Sequence, residues 1–180
     1  MNATLEEVLM KAGKDGAVAY LRENPEDLNE AICQALTDKQ PYSWRAAWLL
    51  SNYIQINDDA IRKHTCKIIS ALPDKKGGHQ RELMRILLQM ELRGKSESIL
   101  FDYCVSLREQ INKSPSIRYT AFKHIRKTVQ RHPALKKEIS FLFRRQFLAP
   151  LTDGTRRVIL KMLKEDGYVR EGDDNCQIPG

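Results

Sequence analysis

Arginine recurs at a nearly fixed interval along this chain, at Arg45, Arg81, Arg118 and Arg156, with spacings of 36, 37 and 38 residues. A self-similar period of that size marks stacked supersecondary units, because one such unit cannot bury its apolar face alone. The surroundings of each arginine repeat as well. Three positions on stand Trp48, Met84, Ala121 and Ile159; seven positions on stand Asn52, Leu88, Ile125 and Leu163. Apart from Asn52, these residues form an apolar or small-residue stripe at helical spacing. A turn-forming stretch precedes each arginine: Asp38-Lys39-Gln40-Pro41, Asp74-Lys75-Lys76-Gly77, Asn112-Lys113-Ser114-Pro115 and Pro150-Leu151-Thr152-Asp153.

Helix punctuation fills the intervals. Thr4 with Glu7 makes a capping box, and Gly13 closes that first short helix. Asp15 opens a second, to about Glu23. Asn24 with Pro25 pairs an N-cap with proline at the first helical position, ahead of Leu28, Ile32 and Leu36. Pro41 opens a helix through Trp44, Trp48 and Tyr53 to about Ile56. Asn57 caps the next, which carries Ile61, Ile68 and Leu72 and stops at Pro73. Gly77 and Gly78 precede a helix from about His79 to Arg93, and Ser96 caps one reaching about Ile111. Ser114 and Pro115 start a helix to about Arg131, Pro133 one to about Leu148, and the last runs from about Asp153 to Glu165. Sustained period-two alternation is missing, so no sheet is expected.

The segments Trp44-Arg45-Ala46-Ala47 and Ile117-Arg118-Tyr119-Thr120-Ala121, each behind a turn with Pro and Asp or Asn, resemble the HEAT repeat family. Gln80 and Thr155 depart from the pattern, standing where an apolar residue precedes the arginine. The resemblance covers about residues 25–165. It implies an all-α, α-α superhelix of the HEAT/armadillo-like kind with about four helix pairs: 25–37 with 41–56, 58–72 with 79–93, 96–111 with 115–131, and 133–148 with 153–165. Residues 1–23 would be N-terminal capping helices of a single domain spanning 1–166, and 167–180 a mobile tail. It further implies that the repeated arginines join a ladder with turn Asp or Asn residues of neighbouring repeats, a structural role, with ligand binding as the alternative.

Composition narrows the function classes. Hydrophobic residues make up 42% and charged residues 29%, which excludes a disordered chain and fits a soluble one. The longest apolar run, Ala46 to Leu50, is far short of the ~18 residues of a membrane span. Thr4 to Met10 is amphipathic and acidic, so no signal peptide is expected. Cys33, Cys66, Cys104 and Cys176 stand far apart, without zinc or redox spacing. The first three read as buried thiols, and a reducing, cytoplasmic location follows. His64, His79, His124 and His132 contain no i, i+4 pair for a metal, and Lys75-Lys76-Gly77-Gly78 lacks the spacing of a phosphate loop. No cofactor, metal or catalytic residue is assigned.

The formal charge of +7 is unevenly placed. Residues 113–164 hold fourteen basic and two acidic side chains (net +12), whereas 1–40 and 165–180 are each net −4. If the core takes the third and seventh positions after each arginine, the first, fifth and eighth face a groove. Those positions run from Ala46, Leu50 and Tyr53, through Glu82, Ile86 and Gln89, to Tyr119, Lys123 and Arg126, then Arg157, Lys161 and Lys164. Lys127 and Arg131 extend the basic end. The expected partner is an acidic protein or peptide segment held by Lys123, Arg126, Lys127, Arg157, Lys161 and Lys164. Leu50 and Ile86 would serve as apolar anchors, with Tyr53 and Tyr119 alongside; the equal alternative is that Leu50 and Ile86 pack on neighbouring helices, since helix stripes widen in buried layers. The alternative partner is nucleic acid, with the same cations on phosphates and the tyrosines stacking on bases. A DNA glycosylase for alkylated bases, which the resemblance also permits, ranks third, because Trp44 and Trp48 fall in the least basic part of the groove and the acids nearest the basic helices, Glu138 and Asp153, have no evident groove-facing role.

Overall fold

The computed structural model describes residues 4–168, and among them every regular element is helical. Eleven α-helices follow in order: α1 Leu5–Lys11, α2 Lys14–Glu23, α3 Leu28–Leu36, α4 Tyr42–Tyr53, α5 Asp59–Arg62, α6 Thr65–Ala71, α7 Gly77–Leu88, α8 Gly94–Glu109, α9 Pro115–Arg131, α10 Arg145–Leu148 and α11 Asp153–Glu165. Short 3₁₀ turns at Pro25–Asp27, Leu72–Asp74, Pro133–Lys136 and Ser140–Phe143 link them. The chain packs into two compact units that divide between Ser96 and Glu97.

In the first unit α4 is the central element. It packs against α1, α2, α3 and α7, and Ala46, Ala47, Leu49 and Leu50 are all buried. Two alanines in succession let neighbouring helices approach from more than one side. The approach of α7 is close: a Cβ on Gly78 would lie 2.8 Å from Nε1 of Trp44, so only glycine fits there. The capping box at Thr4 forms as the sequence indicates, with Glu7 N–H donating to Thr4 Oγ1 (3.3 Å) and Thr4 N–H to Glu7 Oε2 (3.1 Å).

In the second unit α9 and α11 pack together and bury Ala121, Phe122, Ile125, Ile159 and Leu163. Ser114 caps α9 ahead of Pro115, its Oγ accepting from Ile117 N–H at 3.4 Å. Thr152 caps α11. That helix ends in a Schellman arrangement. Gly167 takes φ +72, its N–H donates to Lys164 O (3.0 Å), and Tyr168 N–H donates to Leu163 O (2.9 Å).

Several local expectations change. The helix expected over 58–72 is two pieces, α5 and α6, because His64 N–H bonds Ile61 O and the Thr65 hydroxyl takes Arg62 O, interrupting the ladder. Asp58 rather than Asn57 caps α5, its Oδ1 accepting from Ala60 N–H. Asn57 instead adopts φ +60 and accepts Glu91 N–H. α7 begins at Gly77 and α8 at Gly94, two residues earlier than the sequence signals in each case. The helix expected over 133–148 is broken into two 3₁₀ turns and the four-residue α10. Here buried arginine side chains compete for the backbone: Arg108 Nη2 donates to Leu142 O (3.0 Å) and Arg118 Nη2 to Phe147 O (2.5 Å). Cys104 is buried, as expected, but Cys33 and Cys66 are exposed. Cys33 follows the buried Ile32 and lies on the outer face of α3; Cys176 lies outside the described residues. The tail expected at 167–180 lies mostly outside them too, but Gly167 and Tyr168 are placed and packed. Among the described residues no helix is long and apolar enough to cross a membrane.

Candidate partner-binding surface

The ten residues expected to line one groove separate into three groups. Leu50 and Ile86 are buried, at 1% and 0% exposure. They are core residues of the first unit, and the apolar anchors expected there do not reach the surface. The cause is packing: α1, α2, α3 and α7 all pack against α4. Tyr53 is half-buried.

The second group lies on α9. Tyr119, Lys123, Arg126 and Lys127 are half-buried. Lys123 Nζ stands 4.8 Å from the centre of the Tyr119 ring, a cation–π contact that shields the ring face. Arg126 is engaged by acids of its own chain. Its Nε and Nη2 grip Asp166 (2.6 and 2.9 Å), and Nη2 also reaches Glu165 (3.1 Å). This two-point grip is the strong form of a guanidinium–carboxylate bond, and it raises the Arg126 pKa further. Arg131, expected to extend the basic surface, pairs with Glu97 at 3.0 Å, whose second oxygen meets His132 at 3.1 Å.

The third group is on α11. Arg157, Lys161 and Lys164 are all exposed. Their i, i+4, i+7 spacing sets them on one helix face. Val158, 42% exposed, stands beside them. Val158, two positions after Arg156, falls in neither the expected core stripe nor the expected groove stripe. The exposure of α11's outer half marks it. The acids of α11 do not interrupt this face: Asp153 pairs with Arg156, and Glu165 with Arg126. Among the described residues no cluster of His, Cys, Asp and Glu is placed to hold a metal ion.

Helix follows helix through short turns, with an arginine early in each of α4, α7, α9 and α11. The chain matches the family model of the HEAT repeat domain over residues 1–166. It belongs to the HEAT repeat family. No curated protein and no solved structure matches it. HEAT repeats are helical scaffolds that commonly mediate protein interactions.

The HEAT arginines themselves are tied into structure, by several means. Arg45 donates to Ala12 O (2.8 Å) and lies over the Trp48 ring. Arg81 meets Glu82, a fully buried carboxylate that also receives Arg85 and the Ser51 hydroxyl. Arg118, also fully buried, donates to the carbonyls of Arg108 and Phe147. Arg156 pairs with Asp153 of its own first turn. None of these bonds reaches the turn Asp of a neighbouring repeat. Lys75 makes that connection instead: it is 5% exposed and bridges to Asp38 (2.5 Å) and Thr37 O (3.0 Å) in the preceding turn. The ammonium holds the Asp38 carboxyl below its ordinary pKa.

Proposed function

We propose that this HEAT repeat chain is a non-catalytic binding protein that takes an acidic protein segment on the basic face of its second unit. The exposure of Arg157, Lys161 and Lys164 on one side of α11 carries this reading. Three cations in a row, with Val158 beside them, offer an acidic strand or helix both charge and an apolar foothold. Lys123 and Lys127 on α9 supply further positive charge in the same unit. The excess of charge there steers an anionic partner to this part of the chain.

The test is fluorescence anisotropy with a labelled oligoglutamate peptide and, in parallel, a labelled single-stranded oligonucleotide. Reversing Arg157, Lys161 and Lys164 to Glu weakens peptide binding by about threefold to a hundredfold, since each exposed charge contributes on the order of 0.2–1 kcal/mol. Equal binding by wild type and the triple variant would remove the reading. Tighter binding of the oligonucleotide, with a steep salt slope, would transfer it to nucleic acid.

A further inference from the structure

The residues that engage Arg126 form a small seated motif. Glu165 and Asp166 place their carboxylates on Arg126, and Gln130 Nε2 reaches Asp166 at 3.4 Å. Gly167 turns the chain at φ +72. The Tyr168 ring then lands edge-on against Phe143, with centres 4.8 Å apart, and Lys136 Nζ lies 4.6 Å from the Tyr168 ring centre. Lys136 also donates to Asp166 O at 2.5 Å. An acid pair, a turn and an aromatic ring therefore occupy a site with two cations and an apolar wall.

The fit is incomplete in two respects. The Tyr168 hydroxyl is buried and has no hydrogen-bond partner, an arrangement that costs the full desolvation of that group. A cavity of about 180 Å³ lies against the ring, lined by Phe122, Val129, Ile139 and Phe143 together with Arg126 and Lys136. An engineered apolar cavity of about 150 Å³ takes up benzene, so the space is on the scale of one more aromatic ring. Burial pushes the Tyr168 phenol up to about 12, assisted by Asp166, so the hydroxyl stays protonated and polar.

We infer that residues 165–168 are a resident occupant of a docking pocket whose outside ligand is an acidic segment bearing an aromatic residue shortly after the acid. The inference rests on the proposed function, since it names the partner's chemistry and the way the same unit is kept closed to it. The resident competes because it is covalently attached, and a partner wins by filling the cavity with a ring that carries no buried hydroxyl. Apparent affinity is then reduced by the fraction of molecules with the pocket occupied.

The experiment uses the full chain and an acetylated Glu-Asp-Gly-Phe peptide, read by isothermal titration. Asp166→Asn combined with Tyr168→Ala releases the resident and raises affinity about tenfold, the gain expected if it fills the pocket about nine-tenths of the time. Tyr168→Phe removes the unpartnered hydroxyl, seats the resident better and lowers affinity below wild type. This second variant guards against a released form that fails to fold. Binding that is the same in wild type and both variants would overturn the resident-occupant inference and leave the acidic-segment reading standing. An absence of binding in all three, with circular dichroism showing them folded, would overturn the resident-occupant inference, and loss of oligoglutamate binding as well would overturn both.

Discussion

Helices α4 and α11 carry their repeat arginine in the same register, yet the residues beyond it have opposite surroundings. One and five positions after Arg45 come Ala46 and Leu50, both buried. One and five positions after Arg156 come Arg157 and Lys161, both exposed. Helix α7 follows α4, with Glu82 and Ile86 buried at those places. The motif fixes where a helix begins and one stripe that it buries. The number of helices packed around it decides whether a second stripe is core or surface. Helix α4 has four such neighbours, whereas α11 packs chiefly on α9.

Matched substitutions give the largest expected effect. Leu50→Ala should cost about 2–5 kcal/mol, as for a fully buried leucine, whereas Lys161→Ala at the equivalent place should fall within about 0.5 kcal/mol of wild type. Urea denaturation measures both. Trp44 and Trp48, the two tryptophans of the chain, lie on α4, so their fluorescence reports the first unit and circular dichroism the whole. Equal costs would break the comparison.

The two units also treat buried charge differently. Glu82 is satisfied by three side chains, and the arginines that meet it are 36% and 40% exposed. Removing it with Glu82→Ala therefore leaves cations that water partly covers, and the expected loss is about 2 kcal/mol rather than the larger figure for a fully buried pair. Arg108 is fully buried with Nε and Nη1 unpartnered. Burial and the nearby Arg118 lower its pKa to about 10. Arg108→Met should accordingly stay within about 1 kcal/mol of wild type, because the apolar replacement escapes that burial cost. Chemical denaturation of the two variants checks the contrast.

A smaller effect is set by pH in the first unit. His79 is buried, its Nε2–H donating to Ala35 O (2.7 Å) and its Nδ1 accepting from Gln40 (3.0 Å). Burial, with Lys75 adding to it, holds its pKa below 6.5. The unfolded chain thus binds the proton more readily, so folding stability is full above about pH 6.5 and declines as pH falls below it. Thermal melts followed by tryptophan fluorescence should show this decline, and His79→Gln should flatten it.

The helical class and the repeat character of the fold were legible because caps, prolines and the arginine spacing are local signals. That Arg157, Lys161 and Lys164 share one side of α11 follows from their i, i+4, i+7 spacing, and all three are exposed. For Leu50 and Ile86 the sequence leaves core and groove equally open, because it does not say how many neighbours a helix has; both are buried. The break in 133–148 was hidden for a similar reason: it depends on Arg108 and Arg118 reaching carbonyls 34 and 29 residues away. The engagement of Arg126 by Asp166, 40 residues on, is equally non-local.

The most direct measurement is hydrogen exchange with and without a bound acidic peptide. The account predicts added protection in α9 and α11 and unchanged exchange in α4 and α7. Protection centred on α4 and α7, with α11 unaffected, would contradict it.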